Sequence, residues 1–188
     1  MEKIERRAFM QGAVIGALAF TVGGAKVLLT PGQARAQNVA FRTLNAEQVA
    51  TLEALGETLV PGARQAGIAH FVDQQISIPP EEALLEARLL NIRPPYAHFY
   101  RAALGAVDRA SQAANGGQRF AQLNATEQHG FVDNMRQNKI EGWQDPLPGG
   151  FVYVVLRNDA IDVVYGTMEG YAALGVPYMP HIAPTKRW

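Results

Sequence analysis

The chain has 188 residues, with 17 basic and 17 acidic side chains, four histidines and no cysteine. Without cysteine it cannot form disulfides, perform thiol catalysis, ligate an iron–sulfur cluster through thiolates or attach haem through C-x-x-C-H. Its length suits one domain with a substantial core.

Residues 5–20 read ERRAFMQGAVIGALAF. Arg6 and Arg7 are adjacent, Phe9 stands two positions after the pair, and a mild apolar middle runs from Gly12 to Val22. This is the pattern of a twin-arginine export leader, an address read by a receptor. Ala34-Arg35-Ala36 is a small-x-small cleavage site, so the expected division is a leader at 1–36 and a domain at 37–188. The alternative is a retained membrane anchor over 12–29. Lys26, three glycines and a threonine join Gly12 in that stretch and make it marginal beside the ~20 apolar residues a span requires. Cleavage after Ala36 leaves 152 residues with 12 basic and 15 acidic side chains, a net charge of −3 that speaks against nucleic acid as a partner.

The first helix of that domain follows Asn45, an N-cap paired with Gln48 in a capping box, and ends at Pro61-Gly62. Val49, Leu52, Leu55 and Leu59 mark its apolar stripe. A short helix is expected over Ile68 to Ile76, and another over Glu81 to Leu90 between Pro79-Pro80 and the RPPY stretch. The longest helix reads AHFYRAALGAVDRASQAA, with Phe99, Ala103, Ala106 and Ala110 on a small-residue face, and stops at Asn115-Gly116-Gly117. Asn124, with Glu127, caps the next. After the turn DPLPGG, the run FVYVVLRNDAIDVVYG is too long for one strand and reads as a buried helix. Its expected inner face carries Phe151, Val154, Val155, Asn158, Ile161 and Asp162. From about 167 to 188 the chain reads as an extended arm rich in proline, glycine and aromatic residues. The expected architecture is therefore an all-α domain with a long C-terminal arm.

No nucleotide-binding or nucleophile-elbow motif occurs, neither G-x-G-x-x-G, G-x-x-x-x-G-K-[ST] nor G-x-S-x-G. His70, His98, His129 and His181 are never three or four positions apart, so surface or capping roles are expected for them, with a metal site built from distant histidines as the alternative. Asp159 and Asp162 stand at i, i+3 and would need a raised pKa for acid–base work; pairing with Arg157 or simple exposure explains them more cheaply. No catalytic, cofactor-binding or metal-ligating residue is assigned. Tyr165, Tyr171, Tyr178, Met179, His181 and Trp188 are the expected anchors on a partner protein, because aromatic and Met side chains are enriched in interfaces.

The leader, the stretch LEALGETLVPGARQAGIAHFVDQQI, then LNATEQHGFV, and finally YGTMEGYAALGVPYMPH together resemble gluconate 2-dehydrogenase subunit 3, the small subunit of membrane-associated flavin-dependent dehydrogenases. The chain departs from many members where Pro148-Gly149-Gly150 leads into an apolar run without histidine. The resemblance implies a non-catalytic accessory and escort subunit for a sugar, sugar-acid or polyol dehydrogenase. No cofactor is then expected in this chain. FAD would sit in a large partner of the glucose-methanol-choline oxidoreductase family, and haem c in a multi-haem cytochrome subunit. The expected location is the periplasm, at the inner membrane, after twin-arginine export of both proteins. The runner-up is a stand-alone periplasmic enzyme or binding protein whose site has no recognised motif.

Overall fold

The computed structural model describes residues 16–143 and 147–176, the side chains of 168 and 169 excepted. It begins with an antiparallel hairpin, β1 (Leu18–Val22) and β2 (Ala25–Leu29), in which Val22 pairs with Ala25. Gly23 and Gly24 make the two-residue turn with φ of 57° and 85°, the left-handed pair that a tight hairpin demands and glycine supplies cheaply. Part of the stretch read from sequence as the apolar middle of a leader is thus the first strand of the folded chain.

Helix α1 (Pro31–Ala36) follows directly, started by a Thr30–Gln33 capping box with Pro31 in its first turn. Phe20, Leu29, Ala34 and Val39 form a small core of their own beneath the hairpin. Helix α2 (Ala46–Leu59) has the expected Asn45–Gln48 capping box and buries Leu52 and Leu55. After α3 (Ala63–Ala66) comes α4 (Ile68–Gln75), whose residues are all buried. A helix enclosed on every side must find partners for its polar groups within the protein. Asp73 and Gln75 do so, through backbone amides of neighbouring segments.

The single helix expected over Glu81 to Leu90 is instead a 3-10 turn at Pro80–Glu82 and a short helix α5 (Glu86–Leu89), separated by extended residues. Tertiary hydrogen bonds hold it open: Leu84 N–H donates to Gln75 Oε1 at 2.6 Å, and Glu86 N–H to Asp159 Oδ1 at 2.9 Å. Helix α6 (Tyr96–Ala114) buries Phe99, Ala103, Ala106 and Ala110 as its small-residue pattern foretells. A 3-10 turn at Phe120–Gln122 leads to α7 (Ala125–Arg136), capped by Asn124 with Glu127. Asp108 on α6 accepts hydrogen bonds from Thr51 Oγ1 on α2 and from Phe120 N–H, tying three elements together.

Helix α8 (Gly149–Tyr165) confirms that the apolar run is helical, but its inner face is Val152, Val155, Leu156, Asp159, Ala160 and Val163. The expected face was one residue out of register, a rotation of about 100°. Val154 is exposed, Asp162 is partly exposed, and Phe151, Asn158 and Ile161 are half-buried. The start of the supposed extended arm is also helical: α9 (Met168–Ala173) is capped by Thr167 Oγ1, which accepts from Gly170 N–H at 3.0 Å. The all-α class holds, with the hairpin as the one strand pair among the described residues. No helix among the described residues is long and apolar enough to cross a membrane.

Candidate functional site

The structure distributes the residues singled out from sequence very unevenly. Arg6, Arg7 and Phe9 lie outside the described residues, as do Tyr178, Met179, His181 and Trp188. Tyr165 ends α8 half-buried, its ring packed against the main core. Tyr171 is half-buried on α9. Ala34 and Ala36 both sit on α1; Ala34 is fully buried and Ala36 is exposed.

Sequence reasoning missed an exposed apolar surface. Leu84 and Leu89 are 61% and 72% exposed, and Leu90, just after α5, is also exposed. Leu174 and Val176 are exposed where the described chain ends. The signal was present in EEALLEARLLNI: two leucine doublets in a short segment cannot both turn fully inward. Leu85 is buried and Leu84 is left outside. Clustered exposed leucines of this kind mark interaction surfaces more often than isolated ones do. Val154 is exposed on α8, one turn before Asn158, whose Nδ2 donates to Glu86 Oε1 in the leucine segment.

Behind that segment lies a buried polar centre. Tyr100 O–H donates to Asp159 Oδ2, and Glu86 N–H occupies the other carboxylate oxygen. Burial pushes the Asp159 carboxyl up to about 7, against the opposing pull of the hydrogen bonds from Tyr100 and Glu86, while Asp162 and Glu86 raise it further. Tyr100 is driven well above its ordinary range by burial and by the neighbouring carboxylate. Asp162, one turn along, is raised by its partial burial and by Glu86. Asp159 thus has the raised pKa that acid–base chemistry would need. Both its oxygens are nevertheless bound to the protein's own groups, which makes it a tie between α5, α6 and α8. Arg157, the expected ion-pair partner, is on the exposed side of α8.

A second polar centre joins α4 to the chain preceding α2. Asp73 accepts from the backbone N–H groups of Arg42, Thr43 and Leu44 at 2.8–2.9 Å. His70, expected at the surface or at a cap, is buried instead, with Nε2 3.0 Å from the Val39 carbonyl. Because that carbonyl can only accept, Nε2 carries the proton and Nδ1 is left as a bare, buried lone pair without a partner among the described residues. Burial lowers the pKa of the ring and keeps it neutral. A groove of about 390 Å³, bordered by Arg35, Phe41, Glu53 and His70, opens beside it. His98 and His129 are exposed, as expected. Among the described residues no three His, Cys, Asp or Glu side chains stand close enough to hold a metal ion.

Residues 46–181 match the family described as gluconate 2-dehydrogenase subunit 3. That region takes in α2 through α9, well over half of the chain, and the chain belongs to this family. No curated protein and no solved structure matches the chain.

Proposed function

We propose that the chain is a non-catalytic accessory subunit of a periplasmic, FAD-dependent dehydrogenase that acts on a sugar, sugar acid or polyol. The flavin and the oxidation belong to a large glucose-methanol-choline-type partner, and a multi-haem cytochrome c subunit receives the electrons. This chain helps the flavoprotein fold, assembles with it and supplies the twin-arginine address for both. The observation that carries the reading is family membership over residues 46–181. The sequence adds a consistent logic: an address for folded cargo on a chain without a nucleotide-binding motif suits a chain that carries a second protein.

The exposed leucines Leu84, Leu89 and Leu90, and the aromatic residues from Tyr165 to Trp188, are the proposed contacts with the flavoprotein. An obligate contact of this kind buries more than ~2,000 Å² and is comparatively apolar. Binding to the folded state alone also stabilises that state, which suits a cysteine-free exported chain. The test is affinity capture of the tagged chain from its native membrane and periplasm, with an absorption spectrum and intact masses of what is recovered. A flavin spectrum and a larger protein are expected. A colourless chain recovered alone, and active by itself on a substrate, would overturn the reading.

A further inference from the structure

Ala34 and Ala36 satisfy the small-residue rule for leader cleavage, yet the fold treats the segment around them as part of the domain. Helix α1 places Ala34 at 0% exposure in the small core with Phe20, Leu29 and Val39. A leader peptidase must take the chain in extended form, with the side chains three residues and one residue before the cut lodged in its own pockets. Here the backbone on both sides of the Ala36–Gln37 bond is engaged. Ala34 N–H donates to Thr30, Gln37 N–H to Gln33, Asn38 N–H to Arg35 and Val39 N–H to Ala34, all at 2.9–3.0 Å.

The segment is fastened at both ends as well. Upstream, the hairpin lies over α4, with the Phe20 ring edge-on to His70 at 6.5 Å. At α1, Arg35 pairs with Glu53 on α2 at 3.2 Å. The Pro31 carbonyl presses so closely on Gly67 that a Cβ there would stand 2.2 Å from it. Downstream, His70 holds Val39, and Asp73 holds Arg42 through Leu44. Presenting the bond to a peptidase means breaking these contacts together, a local unfolding rather than the flexing of an exposed loop.

We propose that the Ala34–Ala36 processing site is closed by folding, so that a leader peptidase acts on it only while this region is unfolded and the folded protein keeps residues 18–36. The segment precedes the region shared with the family, and the inference does not depend on the assembly role above.

The test compares the purified, folded full-length chain with a synthetic peptide of residues 12–45, which keeps the apolar middle of the leader, each incubated with bacterial leader peptidase in non-ionic detergent and followed by intact mass. The peptide should be cut after Ala36, and the folded chain should be cut about 100-fold more slowly or not at all. Cutting of the folded chain at the rate of the peptide would overturn the proposal. A peptide left uncut would overturn it equally, since the sequence and not the fold would then prevent cleavage.

Discussion

Tyr100 and Asp159, 59 positions apart in the chain, meet in the core with the phenol O–H donating to Oδ2 at 2.5 Å. Burial holds the carboxyl near 7, far above the ~3.9 of an unfolded aspartate. Between those values the folded state keeps a proton that the unfolded state has released. The contribution of this group to stability is therefore fully present below about pH 4, falls as pH rises towards 7, and is lost above it. The total change is on the order of 4 kcal/mol. Urea midpoints at pH 5 and pH 8 should show the loss. In Asp159→Asn the side-chain carbonyl can still serve Glu86 N–H and the amide can donate to Tyr100, so the profile should flatten; an unchanged slope would assign the titration to other groups. Asp108 and Asp162, raised chiefly by burial, act in the same direction and set what slope remains.

Asp73→Ala removes the acceptor for three backbone N–H groups at once. At roughly 1–3 kcal/mol per abandoned buried donor, and with water reaching some of them, the loss should be about 3 kcal/mol or more. Asp73→Asn keeps one acceptor oxygen and should fall between the variant and the parent. Denaturant titration measures both; equal stability of all three proteins would show that water replaces the carboxylate without cost.

Gly67→Ala should loosen the N-terminal segment. Gly67 has φ of 86°, and an added Cβ would overlap the Pro31 carbonyl. Left-handed strain and the clash together should cost about 2 kcal/mol or more. Hydrogen exchange should locate the damage: amides of Ala34, Gln37 and Val39 should exchange faster, while those inside α6 keep their protection. Uniform acceleration through both regions would show that the segment unfolds only with the whole domain.

Leu89→Glu and Leu84→Glu act on exposed side chains, so stability should change by no more than ~0.5 kcal/mol. Co-purification of the proposed flavoprotein partner should nevertheless drop sharply. Undiminished recovery with either variant would remove this surface from the proposed interface.

Replacing Arg6 and Arg7 by Lys keeps the charge and discards the guanidinium pattern. Both this chain and the proposed flavoprotein partner should then remain in the cytoplasm, as cell fractionation would reveal. Arrival of the flavoprotein in the periplasm would end the escort role.

Much of the helical framework was legible because its signals are local. Asn45 with Gln48 and Asn124 with Glu127 start helices wherever they occur, since the donors they satisfy lie three residues away. Pro61-Gly62 and Asn115-Gly116 end helices for equally local reasons. The face of α8 was not legible. Apolar residues occur on both sides of it, so periodicity could not choose between Phe151-Val154-Asn158 and Val152-Val155-Asp159.

The sequence by itself determined the all-α class, the starts and stops of α2, α6 and α7, the small-residue face of α6 and the family. These follow from backbone chemistry within a turn or two, or from residues read in order. Only the tertiary structure decided which way α8 faces, why the chain from Glu81 to Leu90 opens into a turn, and why His70 is buried. It also decided that Ala34 lies inside a core while Leu84 and Leu89 stay in solvent. Each of those outcomes depends on a group tens of residues distant, such as Asp159 for Glu86 or Val39 for His70. A buried donor or acceptor must find whatever partner the fold brings within reach, and no pattern along the chain announces which one that will be.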